Sequence, residues 1–347
     1  MEKIPPYANP YLCGHQEAEQ LFLKAWKAGT VPNSLIIMGR EGIGKATFAY
    51  RIARFLLANG DTDKATCNSL ELPSTNSDFR LVANRSHPNL KIIERDFIET
   101  DKKKIIKAIN DGNALTEDDL QNFKKSAVIK VDEIRTINEF LGKKSFDGSW
   151  RIVVIDTADD MNTASANAIL KILEEPPAKS LILLISNNPN RLLPTIRSRC
   201  AKISLQPLSK DEVASLLRRY NPELNETEIK GVAKISSGSI GKALRYAEYG
   251  GLTQYKRLED LFYSRSRYNL SDALQFCDEV ARDENAWNLA TELIYYFISE
   301  NLKGGEKVNE LSEIWNKVTT TVNEVSSLNM DKKQAMYNII AAICGAL

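Results

Sequence analysis

The stretch "SLIIMGREGIGKATFAYRIARFLLANG", residues 34–60, constrains the fold more than any other part of the chain. An apolar run of strand type gives way at once to a loop with glycines at 39, 42 and 44. The loop leads into a pattern of helical spacing, Phe48, Ile52, Phe55 and Leu56, with Gly60 as its expected stop. Strand, glycine loop and helix, in that order, is the context in which G-x-x-x-x-G-K-[ST] cradles phosphate. Gly39, Gly42, Ile43, Gly44 and Lys45 fit the pattern, but its last position is Ala46, where a hydroxyl normally ligates Mg²⁺. Thr47 is an imperfect substitute, because one step along a helix turns the side chain by ~100°. The plain alternative is a glycine turn followed by a surface lysine.

The rest of the first two hundred residues repeats the strand-and-helix alternation. "LKIIE" (90–94), "SAVIKV" (126–131), "WRIVVID" (150–156), "SLILLIS" (180–186) and "AKISL" (201–205) read as strands. "TASANAILKILEE" (163–175) reads as a helix closed by Pro176 and Pro177, which lack the amide and disfavour helix before them. Such alternation predicts an α/β fold, a mainly parallel sheet covered on both faces. Residues 101–125, with the lysine cluster Lys102, Lys103 and Lys104, read as a charged surface excursion. After residue 206 the strand runs vanish. "SKDEVASLLRRY" opens a helix with Ser209 as N-cap and Glu212 three residues on, a capping box. The expected division is 1–206 as an α/β domain, 207–250 as a small helical unit and 251–347 as a further all-helical domain.

Composition narrows the class. The 46 Lys and Arg against 45 Asp and Glu argue against a strongly basic nucleic-acid binder. Apolar runs are strand-sized and the start has no apolar leader, so neither a membrane span nor a signal peptide is expected. The five cysteines, Cys13, Cys67, Cys200, Cys277 and Cys344, are scattered without a C-x-x-C pair. Neither a disulfide framework nor a zinc site is expected, and free thiols suit a reducing cytoplasm.

Asp156 ends an apolar strand downstream of the glycine loop, where an Mg²⁺-binding acid sits in P-loop ATPases. Many of them place glutamate next to position the attacking water, and here the next residue is Thr157. Asp159 and Asp160 follow beyond the strand end and are no obvious replacement. Loss of a group that orients a nucleophile costs ~10²-fold or more in rate. Efficient ATP hydrolysis is therefore not expected, while binding of ATP or ADP stays open. His15 and His87, the two histidines, read as structural hydrogen-bonding residues.

"NAILKILEEPPAKSLILLISNNPNRLLPTIRSRC" (167–200) is the most specific stretch, and "LLPTIRSRC" after "LKILEEPP" resembles the bacterial sliding-clamp loader subunits. The likeness covers about residues 10–245, with "SHPNL", "VDEIRTINEFL" and "WRIVVIDTADDMN" in order. It implies an AAA+ fold: a RecA-like parallel sheet with a small helical lid at 207–250, and an all-α C-terminal collar domain at 251–347. It also implies membership of a pentamer with gamma/tau and delta subunits that places a ring-shaped sliding clamp on primed DNA, which would be contacted without sequence specificity. By the same resemblance Ser198, Arg199 and Cys200 match a Ser-Arg-Cys motif whose arginine reaches a neighbouring subunit's ATP. Spacing alone leaves a structural salt bridge equally open. Arg197 is the neighbour expected to pair within its own subunit or face solvent. Ser186 or Asn187 matches a polar sensor of the γ-phosphate. Gly241 stands where ATP-active relatives carry a second sensor arginine, with Lys242 beside it. Four cysteines that bind zinc in many relatives are represented here by Cys67 alone.

Three functional readings follow. The chain is a clamp-loader stator without autonomous activity that lends Arg199 to a neighbour. Or it is an ATPase in its own right, with Lys45 and Asp156 sufficient and water completing the Mg²⁺ shell. Or it is a P-loop nucleotide kinase, a reading that leaves residues 198–200 unexplained.

Overall fold

The computed structural model describes residues 4–60, 67–111, 119–120, 123–142, 149–263, 270–304 and 307–346. The chain forms two compact units, Met1–Leu208 and Ser209–Leu347.

The first unit is built on five strands: β1 (Ser34–Met38), β2 (Leu90–Ile93), β3 (Arg151–Ile155), β4 (Ser180–Ser186) and β5 (Ala201–Ser204). They lie in the order β2-β3-β4-β1-β5 and every pairing is parallel, with Ile92 beside Val154, Val153 beside Ile182, Ile36 beside Leu184 and Ile37 beside Ile203. The strands are almost uniformly apolar because both faces are covered, and successive side chains point to opposite sides. Leu35, Ile37, Ile152, Val154, Leu181 and Leu183 join one hydrophobic cluster, packed with α1 (Gln16–Lys27) and α2 (Lys45–Asn59). Ile36, Val153, Ile155, Ile182 and Leu184 join the other. That second cluster includes Ile134 and Ile137 of α5 (Val131–Gly142), Ile169 and Ile172 of α6 (Thr163–Glu174) and Ile196 of α7 (Pro194–Arg199). The intervening α3 (Ser77–Ala83) is capped by Asn76, and α4 is Glu99–Asn110.

Two sequence expectations change. The run 126–131 is not a strand: only Ile129 bridges to Met161, and helix α5 starts at Val131. β-Branched residues there suggested a strand, but Ile129 is buried as a single plug of the second cluster. The excursion at 101–125 begins as helix α4, whose Asp101 accepts from the Lys124 amide at 2.9 Å and whose Ile105 is buried. Within that excursion, residues 112–118 and 121–122 lie outside the described residues. Gly60 does end α2, although with right-handed φ −52°. A Cβ there would meet Trp150 Cδ1 at 2.3 Å, so small size is what the position requires.

The second unit is helical: α8 (Lys210–Tyr220), α9 (Glu226–Ile235), α10 (Ile240–Glu248), α11 (Gly251–Tyr263), α12 (Leu270–Ala281), α13 (Glu284–Lys303), α14 (Val308–Leu328) and α15 (Lys332–Ala346). The Ser209–Glu212 capping box is formed in both directions, and Asn225 with Glu228 makes a second. Among the described residues no helix is long and apolar enough to cross a membrane.

Candidate functional site

The glycine loop leaves the C-terminal end of β1, an interior strand between β4 and β5, and runs into α2. Gly39, Gly42 and Gly44 have φ of 150°, 75° and 104°, values that L side chains resist. At Gly39 a side chain is doubly excluded, since a Cβ would lie 2.7 Å from the Leu205 carbonyl oxygen. Gly44 is the N-cap of α2, so no capping side chain occupies the free amides of its first turn. Backbone donors and the positive end of a helix converge there, an arrangement suited to phosphate. Ile43 is buried, and Ala46 packs its methyl against the first core cluster.

The N-terminal segment is pressed onto α2 by two buried arginines. Arg51 donates to the Pro10 carbonyl at 3.1 Å and pairs with Glu19, while Arg54 donates to the Asn9 carbonyl at 2.8 Å and stacks on Phe79. This anchoring delivers His15 to the loop, where its Nε2 donates to the Ile43 carbonyl at 2.8 Å. His15 therefore serves the loop's shape, and His87 accepts from the Asn89 amide in a turn.

Lys45 is almost wholly buried, and its Nζ donates to the Arg40 carbonyl at 2.5 Å. Burial lowers its pKa to about 8, opposed by the charges of Glu41, Asp159 and Asp156. Asp156 lies at the end of β3, its carboxyl raised above the usual range by desolvation and then by neighbouring Glu94. Thr157 has φ 56°, uncommon for a β-branched residue, and its hydroxyl turns back on Asp156 at 3.5 Å. The place of a water-positioning acid is thus held by a group committed to its own neighbour. Asp160 is paired with Arg95 at 3.1 Å.

Asp159 has a function that its place beyond the strand end concealed. It is buried, and accepts from Ser186 Oγ at 2.6 Å, from the Asn187 amide at 2.5 Å and from the Asn188 amide at 3.1 Å. Both candidate sensor positions are thereby tied to one carboxylate, whose charge also acts on Lys45. The "ADD" after β3 was the available signal, but which acid turned inward depended on β4 lying beside β3.

The Ser-Arg-Cys stretch ends α7 and enters β5. Cys200 is buried, and desolvation raises its thiol pKa. Ser198 donates to the Thr195 carbonyl at 3.1 Å. Arg199 keeps 35% of its side chain exposed, with Nη1 on the Thr195 carbonyl at 3.0 Å and Nη2 on Glu174 at 2.6 Å. The Ser34 hydroxyl holds the Arg199 carbonyl at 3.1 Å, fixing its backbone to β1. Arg197 is half-buried and bonded to Asn190 at 3.3 Å, within its own chain. Glu174, at the end of α6, is the residue that sequence reading missed. Lys242 belongs to the second unit, where it faces Glu292 at 3.6 Å; Arg245 and Tyr246 bond the same carboxylate at 2.6 and 2.9 Å. Among the described residues no three His, Cys, Asp or Glu side chains are placed to hold a metal ion.

The chain is similar to known proteins over its first unit. The family described as "DNA polymerase III, delta subunit" matches residues 14–209. DNA polymerase III subunit delta' of Pseudomonas aeruginosa is 27% identical over 207 residues, covering 60% of this chain and 53% of the relative. The delta' subunit of Escherichia coli is 25% identical over 220 residues, covering 63% and 56%. The chain thus spans about half the length of the curated relatives it matches. A solved gamma subunit-related protein of Thermotoga maritima has a TM-score of 0.45 at 17% identity, over 94% of this chain and 99% of that one. With a family match over more than half of its 347 residues, this chain belongs to the DNA polymerase III delta subunit family.

Proposed function

We propose that the chain acts as the delta prime subunit of a DNA polymerase III clamp loader, a stator that completes a neighbouring subunit's ATP site without breaking ATP itself. The observation that carries this reading is the contrast between two sites of one unit. Arg199 is presented at the surface, its guanidinium oriented by Thr195 and Glu174 and its backbone pinned to β1. The chain's own pocket has Ala46 at the Mg²⁺ position, and Thr157 folded onto Asp156. A guanidinium suits the first task because its charge is permanent and its forked donors match phosphate oxygens.

The partners are then gamma/tau and delta subunits, with the sliding clamp and primed DNA reached through the assembly. Residues 207–250 serve as a lid and 251–347 as the collar that joins the subunits. ATP or ADP is the ligand that the glycine loop would accept, with its amides and Lys45 on the phosphates. In the reconstituted loader Arg199→Ala should leave assembly intact and lower ATP turnover by roughly 10-fold or more, given that such arginines are worth ~10³–10⁵ at the site they serve. Unchanged turnover, or brisk hydrolysis by the isolated chain, would overturn the reading. Equilibrium binding of ATP to the isolated chain, with Lys45→Ala as control, reads the pocket separately.

A further inference from the structure

Arg199 already has an anionic partner, and that partner is oddly placed. Glu174 is the last residue of α6. A carboxylate there faces the negative end of the helix dipole, where a cation would be the stabilising choice. Its position does nothing for α6, yet its Oε1 lies 2.6 Å from Arg199 Nη2. The side chains are 49% and 35% exposed, so the pair is open to solvent and of the kind that contributes little to stability. The second anchor, the Thr195 carbonyl, is neutral and engages the other terminal nitrogen. A guanidinium carries five N–H groups, and these two contacts leave others available.

We propose that Glu174 is a positioning residue, a displaceable stand-in that holds Arg199 ordered at the surface and yields it to the γ-phosphate of a nucleotide bound by the adjoining subunit. This rests on the finger reading of Arg199 given above. A weak exposed carboxylate contact keeps the long side chain from sampling solvent and is outcompeted by a multiply charged phosphate that accepts two N–H groups at once. The interaction with Thr195 survives the exchange and keeps the fork aimed. The exchange comes before both the ground-state complex and the transition state, so its cost falls on KM rather than on kcat.

The test is steady-state ATP turnover by the reconstituted loader carrying wild type, Glu174→Gln, Arg199→Ala or both substitutions. Glu174→Gln should lower KM for ATP about two- to fivefold, the range an exposed pair is worth, with kcat held within about twofold. In the Arg199→Ala background the same substitution should change nothing. If Arg199→Ala lowers turnover but Glu174→Gln leaves KM unchanged or raises it, the stand-in role is wrong and the finger survives. An effect of Glu174→Gln that persists without Arg199 also rejects the role. Full turnover by Arg199→Ala would remove the finger and this proposal together.

Discussion

The costliest residues here are the ones the candidate site needs. Lys45 carries a charge into a nearly closed environment, and its depressed pKa is a statement about stability. Below about pH 8 the amine is protonated in the folded and unfolded chains alike, and the buried charge weakens the fold. Between about 8 and 10.5 the folded chain has lost a proton that the unfolded chain keeps, so stability rises with pH across that window. Lys45→Met lacks this titration. Urea unfolding should therefore show wild type gaining on Lys45→Met by on the order of 3 kcal/mol from the bottom of the window to its top. Parallel curves would place the amine in water. The raised carboxyl of Asp156 carries a penalty of the same origin, as expected where function opposes stability. Lys45 and Asp156 were singled out by their offsets from a glycine and a strand end, whereas Arg199 was singled out by the family resemblance, since spacing alone left a structural salt bridge equally open. The partners of Asp159 and Arg199 were not legible, because Ser186 lies 27 positions from the first and Glu174 in a different helix from the second.

At the scale of elements, local patterns succeeded wherever the surroundings matched what the pattern assumes. β1, β3 and β4 are buried on both faces, and their unbroken apolar runs say so directly. Ser209 and Glu212 satisfy each other across one helical turn, a bond that needs no distant residue. The failures share a cause. Val128 and Ile129 look like strand residues, but 126–130 joins no strand of the sheet: Ile129 makes one bridge to Met161 and is buried in the second cluster. Helix α4 was hidden because it buries only Asp101 and Ile105, too few positions to show a period. The glycine loop lies where the strand, loop and helix pattern put it, between β1 and α2, with positive φ at Gly39, Gly42 and Gly44. Gly39→Ala should cost about 2 kcal/mol or more, since it meets both a disfavoured φ and the Leu205 carbonyl. A fall in thermal midpoint with weakened ATP binding would show it; a neutral result would mean β5 can move away from the loop.

For the molecule as a whole, the first unit has what an independent domain requires: a closed set of five strands with a hydrophobic cluster on each face. Residues 1–208 expressed alone should unfold in urea as one cooperative transition, with fluorescence and circular dichroism coincident; separated transitions would show that the helical unit is needed to complete it. What the amino-acid sequence determined by itself is whatever a few neighbouring residues can specify: strands written as unbroken apolar runs, glycines with forced dihedrals, capped helix starts, and Ala46 where the phosphate-loop pattern has a hydroxyl. What the tertiary structure alone decided is the company these residues keep. Asp159 became the buried anchor of the end of β4 because β3 and β4 are adjacent. His15 became part of the loop because Arg51 and Arg54 draw the N-terminal segment onto α2. Arg199 met Glu174 because α6 and α7 end near each other. Such contacts join residues far apart in the chain, and their partners are selected by the order in which strands and helices pack, which no local pattern encodes.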